Sequence, residues 1–360
     1  MSETDLAALT RSLAGQFAFC GIAVQRPGAA AEFHLATVPR LAATPRTMFR
    51  VASISKIVTA QTTLKAARAA GLDAPADAPA EDILGWRLRH PRHPDRKITL
   101  GMLAAHTSGL TDWGGYLLDP GTKLSDWIAK TGKWDAAPGT AFHYCNLGYI
   151  LLGACAEMLG ADRFDHLARR LVLDPLHVAG GFNWSGVPLR TRADRLPTFR
   201  RKGDDFLAQV DEKVGDGAIS NVDGEDPTGT PWRIDADVAQ LSPQGGLRTS
   251  MDGAVRLASG LARLDTDPLF TPAHGMIDDP EGRFDSYGWG VQMYRHPDFY
   301  PRPLVGHFGG AYGFLGGVWW DAAARTGFAY ALNGLPDGDD SDGMRPQERQ
   351  IFRALAAQIG

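Results

Sequence analysis

Cysteine is scarce in this chain, and the few cysteines lack the spacing that a disulfide or metal framework needs. Three cysteines occur in 360 residues, at positions 20, 145 and 155, with no C-x-x-C pair. Disulfide scaffolds and zinc ribbons use cysteines in pairs at short spacings. The sequence therefore predicts a protein of a reducing compartment without disulfides, structural metal or cofactor.

An excess of basic residues is also missing. The chain has 37 Lys and Arg against 41 Asp and Glu, which gives a formal net charge of −4 at pH 7. Domains that bind nucleic acid usually carry clustered positive charge that neutralises phosphates. The charge balance therefore argues against a nucleic-acid partner.

Long apolar segments are absent as well. The longest stretches free of Asp, Glu, Lys and Arg contain residues 138–156, which include polar side chains, and residues 304–320, which include six glycines. A membrane-spanning helix needs about 20 mainly apolar residues. Residues 1–15 hold three charged side chains and no unbroken apolar core, unlike a secretory signal peptide. We therefore expect a soluble, cytoplasmic protein with no membrane partner.

The apolar pattern predicts strands at both ends of the chain and helices between them. Strands are predicted at residues 17–24, 32–37, 288–294, 304–307, 314–320 and 327–333. Helices are predicted near the N-terminus and at residues 54–70 and 346–359. This order predicts an α/β plus α fold. Residues 1–54 and 233–360 would form the sheet domain, and residues 55–232 an inserted, mostly helical domain.

One polar segment interrupts the helical region. Eight Asp and Glu residues crowd positions 204–226, within a Gly-rich stretch that runs from residue 197 to residue 232. Long loops are uncommon in compact domains and often cover or line a site. The segment is therefore predicted to be a long surface loop, with its role left open.

The first candidate for chemistry is Ser53-Ile54-Ser55-Lys56, at the start of the second predicted helix. Helix positions i and i+3 are neighbours, so Lys56 faces Ser53 and not Ser55. Ser53 is therefore the candidate nucleophile, with Lys56 as its base if burial lowers the lysine pKa from about 10.4. Free N–H groups at the helix start would favour an oxyanion. The alternative is ordinary surface helix chemistry.

The second candidate is Tyr144-Cys145-Asn146. A tyrosine near a lysine can act as a proton shuttle or as a phenolate-like base, because the cation favours the ionised phenol. Asn146 offers a donor and an acceptor to a substrate amide or to the lysine. The alternative is a buried aromatic side chain whose hydroxyl is satisfied within the protein.

The third candidate is His307-Phe308-Gly309-Gly310, whose glycines follow a predicted strand. Glycines there let the backbone approach a ligand closely and leave N–H groups free to donate. No Gly-Lys-Ser/Thr follows, which argues against a phosphate-binding loop. Because histidine loses its charge near pH 6.5, we expect a pH dependence in that range if His307 contacts substrate.

In this order, Ser-x-x-Lys, Tyr-x-Asn and His-x-Gly resemble the serine β-lactamase and penicillin-binding-protein superfamily. The class C branch, with its esterases, D-amino-acid peptidases and carboxypeptidases, is the most similar. Further segments resemble family motifs along most of the chain: Leu-Ala-Ala-His-Thr-Ser-Gly-Leu at 103–110, Gly-Gly-Leu at 245–247 and Tyr-Gly-Trp-Gly at 287–290. The resemblance implies a β-lactamase/transpeptidase-like fold, with an antiparallel sheet flanked by N- and C-terminal helices.

The resemblance also implies roles for the matching positions. Ser53 would be acylated, Lys56 and Tyr144 would move its proton, and the backbone N–H groups of Ser53 and Gly310 would form the oxyanion hole. The residues implied to contact substrate are Asn146, His307 and Gly309. The implied substrate is a small molecule or short peptide with an ester, amide or D-residue peptide bond.

Two alternatives remain open at this point. One is a catalytically silent relative that binds ligands or assembles, although the nucleophile and its base are both present. The other is a true β-lactamase. Lactamases commonly carry Lys-Thr-Gly where this chain has His307-Phe308-Gly309, and the change weakens recognition of the carboxylate on a β-lactam. The oligomeric state is not predicted.

Overall fold

The computed structural model describes residues 5–184, 187, 189–212, 232–234, 236–271, 284–338 and 343–359. The helices in these ranges are α1 Leu6–Leu13, α2 Ser55–Ala69, α3 Ala80–Leu84, α4 Leu100–Ala104, α5 Leu124–Thr131, α6 Asn146–Gly160, α7 Phe164–Ala168, α8 Leu189–Arg192, α9 Met251–Gly260 and α10 Pro346–Ile359. Across the same ranges, none of the helices combines the length and the apolar character needed to cross a membrane.

The strands alternate with these helices along the chain. They are β1 Phe19–Gln25, β2 Glu32–Thr37, β3 Phe49–Arg50, β4 Leu110–Thr111, β5 Lys133–Trp134, β6 Gly180–Phe182, β7 Phe199–Lys202, β8 Asp205–Ala208, β9 Leu247–Thr249, β10 Pro268–Phe270, β11 Phe284–Gly288, β12 Gln292–Tyr294, β13 Leu304–Ala311, β14 Phe314–Asp321, β15 Thr326–Asn333 and β16 Leu335–Pro336.

Strands from both ends of the chain form one large sheet. Its order is β10-β11-β12-β13-β14-β15-β1-β2, and each neighbouring pair is antiparallel. The predicted α/β plus α fold, with its antiparallel sheet, is therefore confirmed. The boundaries of the two predicted domains, residues 1–54 with 233–360 and residues 55–232, remain a prediction.

The alternation of side chains along β1 explains how the sheet is covered on both faces. Ile22 and Val24 join an apolar cluster with Phe352 of α10 and Leu6 of α1. Ala23, on the opposite face, joins the main core, which includes α9, α2 and α6. A strand buried on both faces is apolar throughout, as residues 19–24 are. The terminal helices thus cover one face, and the helices that carry the site lie beyond the other.

The structure moves several predicted boundaries. The predicted strand 288–294 is two strands, because Gly290 makes a turn with φ of 73° and a β-carbon there would lie 2.3 Å from the Lys56 carbonyl oxygen. The predicted strand 304–307 continues to Ala311. The second helix begins at Ser55, after a 3₁₀ turn at Ala52–Ile54.

The predicted long loop at residues 197–232 is partly wrong. Its first part is a hairpin of β7 and β8, and Asp211 is fully buried in an ion pair with Arg248. Residues 213–231 lie outside the described part of the chain. The acidic composition was therefore a poor guide to exposure, because one of the acidic side chains neutralises a buried arginine.

Candidate active site

Ser53 lies in a sharp backbone turn between β3 and α2. The preceding residue, Ala52, has a left-handed backbone with φ of 49°, a conformation that costs a non-glycine residue about 1–3 kcal/mol. Ala52 and Ile54 are buried, whereas Ser53 keeps part of its surface exposed. The turn contacts β13. It therefore leaves one serine hydroxyl accessible, at the boundary between the large sheet and the helices.

The neighbouring serine is differently placed. Ser55 is fully buried, and its hydroxyl donates to the Ala52 carbonyl oxygen over 2.6 Å while accepting from the Leu247 N–H over 2.9 Å. Both functions of this hydroxyl are used within the protein. Ser55 therefore holds the turn and β9 together and is not available to a substrate.

Lys56 is fully buried beside Ser53. Its Nζ lies 3.1 Å from Ser53 Oγ, 2.8 Å from Asn146 Oδ1 and 2.9 Å from the Gln244 carbonyl oxygen. Burial lowers the pKa of Lys56 to about 7, although the negative charge of Asp112 opposes the effect. A neutral amine has two N–H donors. The two amide oxygens can accept both, which leaves the nitrogen lone pair for the Ser53 hydroxyl.

The phenol of Tyr144 lies near both Ser53 and Lys56. Lys56 Nζ is 4.7 Å from the Tyr144 ring centroid, and the Ser53 side chain is close enough to the phenol to affect its pKa. Burial raises the pKa of Tyr144, and the interaction with Ser53 opposes this only in part. The phenol is therefore protonated at neutral pH. This favours a proton shuttle over the phenolate base that the sequence also allowed.

Asn146 is oriented by Asp112, a residue that the sequence analysis missed. The Asp112 carboxylate accepts from the Asn146 side-chain amide and backbone N–H, both over 2.8 Å, and from the Leu147 N–H over 3.0 Å. It therefore caps the start of α6 from a distance and turns Asn146 Oδ1 toward Lys56. The only signal in the sequence was indirect, because the residue before α6 is Cys145, a poor helix cap.

His307 is almost fully buried, with 1% of its surface exposed. Its Nδ1 contacts the Phe308 carbonyl oxygen and must carry the hydrogen, so Nε2 accepts from Tyr287 Oη over 2.6 Å. Tyr287 Oη is also 3.3 Å from His106 Nε2. Burial, together with the nearby Lys56 charge, lowers the pKa of His307 to about 3. The expected loss of charge near pH 6.5 is therefore wrong, since this ring is neutral throughout the physiological range.

Gly309 allows β13 to lie against the serine turn. A β-carbon at Gly309 would be 2.5 Å from the Val51 carbonyl oxygen, which is closer than any side chain tolerates. The sequence predicts that this glycine follows a strand, but it belongs to the strand itself. Its role is to remove a side chain where two backbones meet.

The register of β13 and β14 fixes the direction of the backbone N–H of Gly310. Ala311 pairs with Phe314 across a two-residue turn, and Gly310 pairs with Leu315. The residues that flank a two-residue turn form a hydrogen-bonded pair, and such pairs alternate along antiparallel strands. The N–H of Gly310 therefore points away from β14. Ser53 lies in the first helical turn, where its N–H has no helical acceptor.

Comparisons with known proteins agree with this architecture. The family model named Beta-lactamase matches residues 21–352. A penicillin-binding protein 4 of Amycolatopsis lactamdurans is 30% identical over 142 residues, 38% of this chain and 36% of that protein. The match therefore spans only about a third of that relative's length.

Two solved structures illustrate the likeness of fold. D-amino acid amidase from Ochrobactrum anthropi SV3, in complex with L-phenylalanine amide, superposes with a TM-score of 0.69 at 16% identity over 98% of this chain and 96% of that one. A β-lactamase/D-alanine carboxypeptidase from Yersinia pestis superposes with a TM-score of 0.67 at 15% identity, over 99% and 100% of the two chains. Since the family model covers nearly the whole chain, the protein belongs to the beta-lactamase family.

Proposed function

We propose that this chain is a serine hydrolase in which Ser53 forms an acyl-enzyme. The observation that carries the proposal is the 3.1 Å contact between Lys56 Nζ and Ser53 Oγ, combined with a lysine pKa of about 7. A general base is most effective when its pKa lies near the working pH. A lysine neutral at pH 7 beside a part-exposed serine meets that requirement.

In the proposed reaction, Ser53 Oγ attacks the substrate carbonyl carbon and gives its proton to Lys56 Nζ. The N–H groups of Ser53 and Gly310 stabilise the oxyanion, an interaction whose loss costs other hydrolases about 3–4 kcal/mol in the barrier. Tyr144 protonates the leaving oxygen or nitrogen and recovers its proton from Lys56. Water then attacks the acyl carbon and gives a proton to Lys56 Nζ. The bond from the acyl carbon to Ser53 Oγ breaks, Lys56 returns the proton to Oγ, and the acid product leaves.

Asn146 would bind substrate through a side-chain N–H that its contacts with the described residues do not use. Its Oδ1 accepts from Lys56, and its amide donates one N–H to Asp112. A carboxamide has two N–H donors, so one remains for the acyl group of a substrate. In this proposal the residue both orients the base and binds the acyl chain.

The proposed substrate is a small ester, amide or D-residue peptide rather than a β-lactam. The neutral, buried His307 supports this choice, because the third motif lacks the fixed cation that would hold a β-lactam carboxylate. A panel of 4-nitrophenyl esters, D-amino-acid amides and nitrocefin, assayed with the wild-type protein, ranks these classes directly. Nitrocefin turnover equal to that of the esters would overturn the preference.

The test of the nucleophile is labelling with a fluorophosphonate, read by intact mass and peptide mapping. Ser53→Ala should abolish labelling. Ser55→Ala is the matched control, and it should keep the label while losing about 1–3 kcal/mol of stability, because the Leu247 N–H loses its acceptor. A label on another serine, or a wild-type protein that neither labels nor turns over any substrate, would refute the proposal. The second result would favour a catalytically silent binding protein.

A further inference from the structure

Arg50 is a buried cation next to the serine turn, three residues before Ser53. Only 5% of its surface is exposed, and its Nε donates to the Gly245 carbonyl oxygen over 2.9 Å. The guanidinium carbon lies 5.2 Å from the ring centroid of Tyr312. Within the described residues, neither Nη nitrogen donates to a protein acceptor, and neither is closed off from solvent. The Nη nitrogens therefore keep N–H donors that none of the described residues accepts.

Among the described residues, no carboxylate forms an ion pair with Arg50. Its neighbour Arg248 is paired with Asp211 over 2.8 Å, with both side chains fully buried, so that carboxylate is already used. Burial, followed by repulsion from Arg248, lowers the pKa of Arg50 to about 10, while Tyr312, Asp211 and Tyr116 oppose the change. The side chain is still a cation at neutral pH. Burying such a charge unpaired is unfavourable, and a bound anion would offset the cost.

Arg50 lies on a defined side of the reacting serine. Gly245, its hydrogen-bond partner, directly follows Gln244, whose carbonyl oxygen holds Lys56. Tyr312, its ring partner, comes two residues after Gly310 in the β13–β14 turn. The guanidinium is therefore held between the segment that fixes the base and the strand end that carries the proposed oxyanion donor.

The leaving group of a substrate would lie toward the His307 end of β13, away from Tyr312. Tyr144, the proposed acid for the leaving group, has its ring centroid 6.3 Å from that of His307. His307 precedes Gly310, whereas Tyr312 follows it, so these two ends of the strand lie on opposite sides of the oxyanion donor. In an ester or amide, the leaving group and the acyl chain extend to opposite sides of the carbonyl carbon. Arg50 is therefore on the side toward which the acyl chain of a bound substrate would extend.

The backbone conformation and the exposure of Tyr312 support a role for this residue in substrate binding. Its backbone is left-handed, with φ of 54°, and a bulky residue in that region costs about 1–3 kcal/mol. Its side chain remains 41% exposed, although it lies over the guanidinium. A strained, exposed tyrosine does little for the core. It does shield one face of the cation from water, which strengthens the attraction between Arg50 and an anion.

We propose that Arg50 is a specificity residue that binds a carboxylate on the acyl group of the substrate, with Tyr312 covering the pair. This rests on the proposed acyl-enzyme at Ser53, and it narrows the substrate class to acyl donors with a terminal acidic group. In this proposal Arg50 supplies a permanent positive charge beside the acyl chain, whereas His307 of the third motif is neutral.

The test compares two esters that differ in one charge, mono-4-nitrophenyl adipate and its methyl ester. Wild-type protein should favour the monoacid in kcat/KM by roughly 10- to 100-fold, the range of one or two charge-assisted hydrogen bonds. Arg50→Gln should lower that ratio to near one, and Arg50→Lys should retain part of it. Arg256→Gln, on the exposed face of α9, should leave both rates unchanged.

The outcomes separate this inference from the proposed function. If wild-type protein turns over both esters equally, the carboxylate site is refuted while the acyl-enzyme stands. A purely structural role for Arg50 would lower both rates by one factor and leave the ratio intact, which also refutes it. If Arg50→Gln does not fold, the Arg50→Lys ratio and the wild-type ratio still decide. Failure of the acyl-enzyme itself would appear as no turnover of either ester and no label on Ser53.

Discussion

The rate at which Ser53 is acylated should follow the titration of Lys56. The base must be neutral to accept the serine proton, and its pKa is lowered to about 7 by burial. About one-eleventh of the amine is neutral at pH 6 and ten-elevenths at pH 8, so acylation should be about tenfold faster at pH 8. Below pH 6 the rate should fall a further tenfold for each pH unit. The assay is the second-order rate constant for fluorophosphonate labelling between pH 5 and pH 9.

The same shift has a consequence for stability. An ordinary lysine pKa of 10.5 against about 7 in the folded protein corresponds to roughly 5 kcal/mol at about 1.4 kcal/mol per pH unit. Because the folded pKa is the lower one, the unfolded chain binds the extra proton between these two values. The contribution of Lys56 to the free energy of unfolding is thus most unfavourable below pH 7, and it improves as the pH rises toward 10.5.

The variant Asp112→Asn tests whether the labelling profile follows the pKa of Lys56. Asp112 raises the pKa of Lys56, so Asp112→Asn should move the inflection of the labelling profile to lower pH. The same change should lower the midpoint of urea unfolding, because the N-terminus of α6 loses a negative charge and one of its two acceptor oxygens. A profile that is flat from pH 5 to pH 9 would rule out a base that titrates near pH 7, and a rate still rising at pH 9 would show that the pKa of Lys56 is not lowered to about 7.

Two further predictions concern packing around the site. Asp211→Asn should reduce the free energy of unfolding by about 3–5 kcal/mol in urea titrations, because Arg248 is left buried without its counter-ion; an unchanged midpoint would mean that this pair is not isolated from water. Gly309→Ala should slow labelling of Ser53 at least tenfold, since the new methyl group must displace the Val51 backbone beside the serine turn; labelling at the wild-type rate would show that the turn adapts freely.

Features set by local pattern could be predicted from the sequence. The last helix was predicted at its observed bounds, residues 346–359, because an amphipathic period and a proline at its start are both local signals. The strand 32–37 follows a turn that is visible in the sequence. The spacing of Ser53 and Lys56 depends only on helix geometry, and their side chains do meet.

Features set by distant partners could not be predicted. The partner of Asn146 is 34 residues away at Asp112, and Arg248 is 37 residues from Asp211. Pairs of side chains at such separations produce no periodic pattern in the sequence. The charge state of His307 could not be predicted for the same reason, since only the packed sheet creates the burial that lowers the pKa of the ring.

The neighbours of β1 in the large sheet have a consequence for biosynthesis. β1 pairs with β15, and about 300 residues separate Gln25 at the end of one from Thr326 at the start of the other. At roughly 5–20 residues per second, a ribosome needs about 15 to 60 s to make that segment. During this time the hairpin of β1 and β2 has an unpaired apolar edge, which is prone to intermolecular association. Yield should therefore depend on chaperones and on growth temperature more than the stability of the finished fold would indicate.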